Sequence, residues 1–150
     1  MRILFTALLN GLIISFLYAQ GATVPDKQTR DIYALIDHYN QAREKKDTVM
    51  LKNILTTDVD QLVSSGEWRN GIQGSVKGML RSSESNSGTR KLIVDKIRFH
   101  NSESGIVDAR YEIQNADGTS RKMWSTFIVV YKGTKWKIVA IRNMLPTWQQ

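Results

Sequence analysis

Apolar residues are densest near the C-terminus, where two runs rich in β-branched and aromatic side chains flank Gly133-Thr134. This pattern predicts a β-hairpin with a two-residue turn. The expected cross-strand pairs include Val129 with Ile138, Phe127 with Ala140, and Ser125 with Arg142. Paired residues share a face, so one face carries Phe127, Val129, Tyr131, Trp136, Ile138 and Ala140. The other face carries Trp124, Thr126, Ile128, Val130, Val139 and Ile141. Because both faces are mostly apolar, we expect one to lie in the core and the other against a neighbouring molecule.

Apolar residues at helical spacing come earlier in the chain. Between Arg30 and Lys46 they form one stripe, which consists of Ile32, Leu35, Ile36, Tyr39 and Ala42. Asp26 or Thr29 can cap this first helix, and Asp47 predicts the start of a second, Thr48–Leu55. The segments expected to follow are a brief strand at Leu62-Val63, a crossing segment from Trp68 to Gly71, a short third helix around Ile72–Leu80 and a polar loop from Arg81 to Gly88.

The rest of the sequence predicts strands. Thr89–Phe99 is rich in β-branched and other apolar residues, and Ile106–Gln114 alternates between apolar and polar positions. Together with the hairpin, these segments form a four-stranded antiparallel meander after three helices. We therefore predict a single α+β domain in which helices cover one face of a curved antiparallel sheet.

Residues 1–21 have the pattern of a signal peptide for export. Arg2 supplies the positive charge, Ile3–Leu17 is mostly apolar, and small residues allow cleavage after Gly21 or after Ala19. A membrane anchor is the alternative, but the apolar run is shorter than the roughly 20 residues that a spanning helix needs. No Cys follows the cleavage site, which excludes a lipoprotein. We expect residues 22–150 to form a soluble periplasmic or secreted domain with no stable membrane insertion.

The composition narrows the possible functions. The chain of 150 residues has a formal net charge of +7, but its Lys and Arg residues are scattered, and the densest group, Arg43–Lys46, contains an acid. This distribution predicts a solvated basic surface rather than a nucleic-acid partner. The absence of Cys excludes disulfides, thiolate catalysis and Cys-ligated metals.

Four short motifs together resemble the SnoaL-like branch of the nuclear transport factor 2-like superfamily. They are Tyr39-x-x-Ala42 followed by Asp47, then Leu51 with Thr57-Asp58-Val59, then Gly66-x-x-x-x-Gly71-Ile72, and finally Trp136-Lys137-Ile138. The resemblance spans roughly Thr29 to Pro146, and its motifs are more specific for the fold than for an activity. It implies a cone, in which a curved sheet wraps a long N-terminal helix and leaves a pocket at the open end.

The resemblance also implies ways of association. Many proteins of this superfamily dimerise through the outer face of the sheet. Here that face is predicted to carry Trp124, Thr126, Ile128, Val139 and Ile141. An apolar patch of this kind on an exported protein predicts a homodimer. The alternative is that the linker after the signal or the tail, Leu145–Gln150, covers the patch.

Catalytic groups are sparse. The isomerases of the superfamily place a carboxylate base after the short strand that follows the second helix, and the matching window, Leu62–Ser65, contains none. Glu67 and Asp60 are weak candidates for a base. The two histidines, His38 and His100, are expected to be exposed and offer no metal-ligand spacing, and no cofactor motif is present. The sequence thus predicts neither a metal nor a cofactor.

Ligand-binding candidates are more numerous. They are chosen because they combine apolar area with a polar tip or because they are predicted to lie near the pocket. The candidates are Tyr39, Trp68, Met79, Tyr111 and Ser125. Ordinary core packing is the alternative for each, and it is favoured for all but Trp68. Arg142 is predicted on the inner face beside Ser125, either in a salt bridge at the rim or aimed at an anionic ligand.

Three hypotheses of function follow. The first is a non-catalytic, exported homodimer that binds a small apolar or weakly anionic molecule, because no complete acid–base pair is recognisable. The second is an enzyme of the isomerase, dehydratase or hydrolase type on a small hydrophobic substrate, with Glu67 or Asp60 as the base and Arg142 as an electrostatic stabiliser. The third is a protein-association module with a filled interior, against which a roomy cavity would count.

Overall fold

The computed structural model describes residues 26–85 and 88–146, so the predicted signal peptide lies outside the described part of the chain. Within these ranges the elements are α1 (Lys27–Lys45), α2 (Thr48–Ile54), β1 (Leu55–Leu62), β2 (Trp68–Asn70), α3 (Gly71–Ser85), β3 (Thr89–Asn101), β4 (Ser104–Gln114), β5 (Ser120–Lys132) and β6 (Lys135–Met144). The strands form one sheet in the order β2-β1-β6-β5-β4-β3. The helices cover one side of this sheet, which we call the inner face; the other side is the outer face.

Side-chain caps fix the starts of the first two helices. Asp26, rather than Thr29, caps α1, and its carboxylate accepts a hydrogen bond from the backbone N–H of Thr29 at 2.7 Å. Asp47 caps α2 as predicted and accepts from the N–H groups of Val49 and Met50. Between the two helices, Lys46 adopts a left-handed conformation with φ of 56°, which ends α1 and turns the chain.

The third helix is longer than the sequence predicts. Arg81–Gly88 was expected to be a loop, yet α3 continues to Ser85. The hydroxyl of Ser85 donates to the backbone carbonyl of Arg81 at 3.0 Å, a local bond that serine can form inside a helix. Composition alone misled here, because serine favours loops only when it bonds the backbone in a non-helical conformation.

The sheet is mixed, whereas the sequence predicted an antiparallel one. The meander from β3 to β6 is antiparallel as expected, but β1 pairs with β6 in parallel. The brief strand predicted at Leu62-Val63 is in fact the end of the eight-residue β1. A long crossover separates β1 from β6, which is what a parallel pair requires. Trp68–Asn70, predicted as a crossing segment, is the edge strand β2.

A β-bulge in β6 changes which residues face the core. The predicted pairing of Val129 with Ile138 is correct, but Val139 is an extra residue, so the pairs beyond it are Ile128 with Ala140 and Phe127 with Ile141. The neighbouring strand β1 is irregular at the same level, between Leu55 and Asp60. The sequence carries no glycine at this point to signal the bulge.

The bulge corrects three predictions about the hairpin. Ile141, predicted on the outer face, is buried with 1% exposure. Arg142, predicted opposite Ser125 on the inner face, instead pairs with Thr126, and Ala140 pairs with Ile128 on that same outer side. A shift of one residue moves every later side chain of the strand to the opposite face.

The core lies between the helices and the inner face. The predicted apolar stripe of α1 packs onto buried residues of the central strands, where the ring of Tyr39 meets that of Phe127 edge to face at 5.2 Å. The predicted Met79 is fully buried in this core. Packing of this kind fixes the position of the second half of α1 over the sheet.

Candidate functional site

Three of the predicted ligand-binding residues meet inside the domain. Tyr39 from α1, Tyr111 from β4 and Ser125 from β5 line one internal cavity. Its other lining residues are Arg43, Leu92 and Asn143. The cavity has a volume of about 10 Å³, which is room for about one water molecule. We call it the interior cavity.

The β-bulge decides which polar side chain β6 contributes to this cavity. It places Asn143, instead of Arg142, opposite Ser125. The hydroxyl of Ser125 donates to Oδ1 of Asn143 at 3.1 Å. The amide nitrogen of Asn143 is left to act as a donor, since the amide oxygen is the atom that accepts this bond.

Arg43 is the charged group of the interior cavity. It lies one helical turn after Tyr39, and only 6% of the residue is exposed. One Nη donates to the hydroxyl of Tyr39 at 3.4 Å and the other to the hydroxyl of Ser82 at 3.2 Å. Its Nε is buried and makes no hydrogen bond to any described residue. A guanidinium removed from water without a counter-charge is costly, so this site is electrostatically incomplete.

The hydroxyl of Tyr111 is a second unsatisfied group in the cavity. It is buried and meets the geometry of no hydrogen bond with the described residues. Burial raises the pKa of Tyr111, and the nearby positive charge of Arg43 opposes that shift. The phenol therefore stays protonated at neutral pH, where it is a hydrogen-bond donor and not a counter-ion for Arg43.

Of the three other predicted ligand-binding residues, Met79 is in the core, and Trp68 and Arg142 lie on the outer face. Nη1 of Arg142 donates to Oδ1 of Asp60 at 2.6 Å, and its guanidinium lies 4.9 Å from the centre of the Trp68 ring. Trp68 is 52% exposed. Of the two alternatives left open for Arg142, the structure has the salt bridge, and places it away from the interior cavity.

The weak catalytic candidates are surface carboxylates in ion pairs. Asp60 pairs with Arg142, and Glu67 accepts hydrogen bonds from Arg81 and, at 3.4 Å, from Nε of Arg69. The hydrogen bond from Arg81 holds the pKa of Glu67 below its usual range. A general base at neutral pH needs the opposite shift, which burial produces. Neither carboxylate lines the interior cavity.

Two further observations bear on metals and membranes. In the part of the chain that the structure describes, no group of three or more His, Asp or Glu residues is arranged to hold a metal ion. His38 and His100 are both exposed, as predicted. Among the same residues, no helix combines the length and apolarity that a membrane crossing requires.

A larger depression lies at the opposite end of α1. It is an open groove of about 690 Å³ between α1, α2 and the turn that joins β5 to β6. Its floor includes Leu35, Ile54 and Trp136, and its rim carries the exposed ion pair of Lys27 with Asp31. The sequence did not predict this groove, because it depends on how α2 and the turn are spaced around α1.

The outer face combines apolar and charged residues. Trp124 and Ile128 are 37% and 36% exposed. Three arginines on this face each pair with an aspartate: Arg142 with Asp60, Arg98 with Asp108, and Arg110 with Asp95. The hydroxyl of Thr126 also donates to Asp108. The face is thus apolar in parts, and its arginine charges are locally neutralised.

Sequence reasoning missed Arg43 and Asn143. Arg43 follows Tyr39 by four residues and so continues the apolar stripe of α1, a spacing that indicates an inward side chain. That signal was present but was assigned to a basic surface cluster. Asn143 had no such signal, because its direction depends on the bulge.

Comparison with known proteins bears on the fold. No family model matches the chain, and no curated protein matches its sequence. Among solved structures, it is similar to an NTF-2 like protein of unknown function from Shewanella oneidensis MR-1, with TM-score 0.67 and 17% identity over 77% of this chain and 98% of that one. It is also similar to a domain of unknown function with a cystatin-like fold from Nostoc punctiforme PCC 73102. The TM-score is 0.74, with 15% identity over 85% of this chain and 83% of that one.

A third similar structure is an uncharacterised protein with a cystatin-like fold from Caulobacter vibrioides, with TM-score 0.69 and 17% identity over 81% of this chain and 92% of that one. Identities this low carry the fold and no activity. The predicted α+β architecture is confirmed, while the SnoaL-like branch stays a prediction. The chain has the nuclear transport factor 2-like fold.

Proposed function

We propose that this protein is a non-catalytic binding domain for a small apolar or weakly anionic molecule, and that it works as an exported homodimer. The observation that carries the binding function is the interior cavity, where two phenols, a hydroxyl, a carboxamide and a guanidinium meet beside the apolar side chain of Leu92. Small-molecule sites usually combine apolar walls with a few convergent polar groups in this way.

The lining chemistry favours binding over catalysis. A proton-transfer mechanism needs an acid and a base within reach of the substrate. Among the described residues, no carboxylate and no histidine line the interior cavity. The two carboxylates considered as bases, Asp60 and Glu67, are held in ion pairs with Arg142 and Arg81. The remaining groups can donate hydrogen bonds and stabilise charge, which is sufficient for binding.

The small size of the cavity limits how a ligand enters. Its volume of about 10 Å³ holds about one water molecule, so an organic molecule can enter only if lining side chains move. Leu92 is a partly buried lining residue from β3, so displacement of its side chain would widen the cavity for the apolar remainder. Ligand binding is therefore expected to be coupled to a local movement at Leu92.

The homodimer is proposed to form through the outer face. Trp124 and Ile128 offer exposed apolar area, and aromatic and arginine side chains are common in interfaces. The chain has a formal net charge of +7, so two copies repel each other over most of their surfaces. A face whose arginines are paired with aspartates is where that repulsion is least.

Export is proposed from the sequence of residues 1–21. A positive residue, a mostly apolar stretch and small residues before the cleavage site are typical of a signal peptide. Expression of the full chain with fractionation of the cells, followed by mass determination of the exported product, tests this. A product that keeps residues 1–21 would contradict the proposal.

Binding is tested by thermal denaturation of residues 22–150 against a panel of small neutral and anionic organic molecules. A ligand of the folded state raises the apparent stability. The matched variants are Tyr111→Phe, which removes a hydroxyl from the interior cavity, and Tyr33→Phe, which removes one from the exposed side of α1. Binding to the cavity is supported if only Tyr111→Phe weakens the response. No stabilisation by any member of the panel would contradict it.

A second candidate function is a protein-association module, because the interior cavity is nearly filled and the outer face carries exposed apolar side chains such as Trp124 and Ile128. Sedimentation of the wild type and of Trp124→Glu distinguishes a dimer from a monomer. Tyr33→Glu is the control, since it places the same charge at an exposed aromatic residue of α1, away from the outer face. A monomeric wild type at micromolar concentration would contradict the homodimer proposal.

A further inference from the structure

The charge inside the domain is not balanced. Arg43 is almost fully buried, and its described hydrogen-bond partners are the neutral hydroxyls of Tyr39 and Ser82. Arg69 is buried as well; burial lowers its pKa, and the charge of Arg43 lowers it further. Arg69 forms an ion pair with the exposed Glu67, whose carboxylate lies 3.4 Å from its Nε. Arg43 and Arg69 therefore repel each other, and among the described residues Glu67 is the carboxylate that forms an ion pair with either of them.

Such an arrangement is unfavourable unless something else supplies negative charge. Buried charges in proteins are paired or hydrogen-bonded at every position, since the loss of hydration otherwise exceeds any gain. A water molecule in the cavity would satisfy a hydrogen bond of Arg43 but would leave its charge uncompensated. An anion in the same place would satisfy both requirements.

The cavity offers donors for that anion. The Nε–H of Arg43 and the hydroxyl of Tyr111 are buried, and neither bonds to any residue in the described ranges. Both belong to side chains that line the same space, together with Asn143, whose amide nitrogen is a further donor. In residues 26–85 and 88–146, no carboxylate lines the cavity to repel an anion.

We propose that Arg43 binds a compact monovalent anion in the interior cavity, either the carboxylate end of a small organic acid or a free halide. This inference rests on the proposed binding function and specifies the charge and the anchoring residue of the ligand. The present volume is that of about one water molecule, so a halide needs a small widening of the cavity and a carboxylate needs the displacement of Leu92. A carboxylate places one oxygen against Nε of Arg43 and the other toward the hydroxyl of Tyr111, with its carbon chain leaving past Leu92.

The experiment measures thermal denaturation of residues 22–150 in a buffer of sodium PIPES, a disulfonate too large for the cavity, at constant ionic strength. Sodium chloride, sodium acetate, sodium propionate and the neutral isostere acetamide are titrated in turn. Since the chain is basic, general anion effects are expected, and constant ionic strength holds the screening part of them fixed.

The variant Arg43→Met removes the proposed anchor. The control Arg110→Met removes one positive charge from an exposed ion pair with Asp95 on the outer face. We expect acetate, chloride or both to raise the melting temperature of the wild type and of Arg110→Met, and to have no specific effect on Arg43→Met. A response to acetate without one to chloride identifies a carboxylate, and the reverse identifies a halide.

A second variant keeps the test decisive if Arg43→Met fails to fold. Tyr111→Phe removes a hydroxyl that makes no hydrogen bond within the described residues, so its fold should be retained. Loss of one hydrogen bond to an anion raises the half-saturating concentration about tenfold or more. Tyr33→Phe, at an exposed position of α1, should leave that concentration unchanged.

Three results would overturn the inference. One is an equal rise of the melting temperature with acetate and with acetamide. It would leave the binding function intact but show that the ligand need not be an anion. Another is an equal loss of response in Arg43→Met and Arg110→Met, which would mean a general charge effect. The last is a melting temperature that none of the salts raises above its value in PIPES buffer alone. If the neutral molecules of the panel do not raise it either, the proposed binding function is contradicted as well.

Discussion

Arg43 and Arg142 are two arginines of the same domain beside aromatic rings, and they differ in nearly everything else. Arg43 lies 5.8 Å from the ring centre of Tyr39 and is buried with no ion pair to any residue that the structure describes. Arg142 lies 4.9 Å from the ring centre of Trp68 and is ion-paired with Asp60. Water screens the outer pair, so its strength is modest. The buried guanidinium of Arg43 has no such screening, so the free energy of its charge depends on the groups that share its cavity. The comparison shows that burial, and not residue type, makes an arginine a candidate ligand anchor.

The largest expected effect comes from the packing that holds the inner arginine in place. Phe127 lies under Tyr39, and 1% of it is exposed. Phe127→Ala leaves a cavity in the core and should lower the free energy of unfolding by about 3–5 kcal/mol. Urea denaturation followed by circular dichroism measures this. A loss below about 1 kcal/mol would mean that the ring contributes little to the core that positions Arg43.

The next prediction contrasts the two arginines directly. In the absence of anions, Arg43→Met should be neutral or should raise the free energy of unfolding by about 1–2 kcal/mol, because it removes a buried charge with no counter-charge. Arg142→Met should lower it by about 0–1 kcal/mol, because it breaks a half-exposed ion pair. Urea denaturation in PIPES buffer decides between the signs. A strong destabilisation by Arg43→Met would show that its charge is already compensated.

A smaller effect is expected from the ion pair on the outer face. Asp60→Asn removes the charge that pairs with Arg142 but keeps a hydrogen-bond acceptor of the same shape. We expect a loss of less than about 1 kcal/mol, which shrinks further in high salt. The same substitution should leave ligand binding at the interior cavity unchanged. A change in anion response would mean that the two sites are coupled through β6.

The smallest prediction concerns pH. The pKa of Glu67 is lowered chiefly by its hydrogen bond from Arg81, so its contribution to stability is present above its unfolded pKa. That contribution disappears as the pH falls from about 4.3, the ordinary value for glutamate, through the lowered folded value. The wild type should therefore lose more stability than Glu67→Gln over this acid range. Melting temperatures of both proteins across the range measure the difference, and parallel curves would contradict it.

Much of the fold was predictable because local signals and tertiary packing agreed. Local sequence predicts the apolar stripe of α1, the cap at Asp47 and the alternating strand Ile106–Gln114, and the structure contains all three. The long β1 and its parallel pairing with β6 were not predictable in this way. They depend on contacts between segments about 80 residues apart, which leave no periodic signal in either segment alone.

The residues of the candidate site were likewise predicted only in part. Tyr39, Tyr111 and Ser125 were predicted from their side-chain types and their places on inward-facing positions, and the structure brings them to one cavity. Trp68 and Met79 were predicted for the same site, but the first lies on an edge strand and the second is part of the core.

The sequence by itself determined the order of the elements, the inward stripe of α1 and the hairpin, because the period of apolar residues and the turn chemistry are local properties. Only the tertiary structure decided that Val139 is bulged, and with it that Asn143 faces inward while Arg142 faces outward. It also decided that Arg43 is enclosed. The reason is physical: the direction of a side chain near a bulge and the desolvation of a charge depend on neighbouring strands and helices that are distant in the sequence.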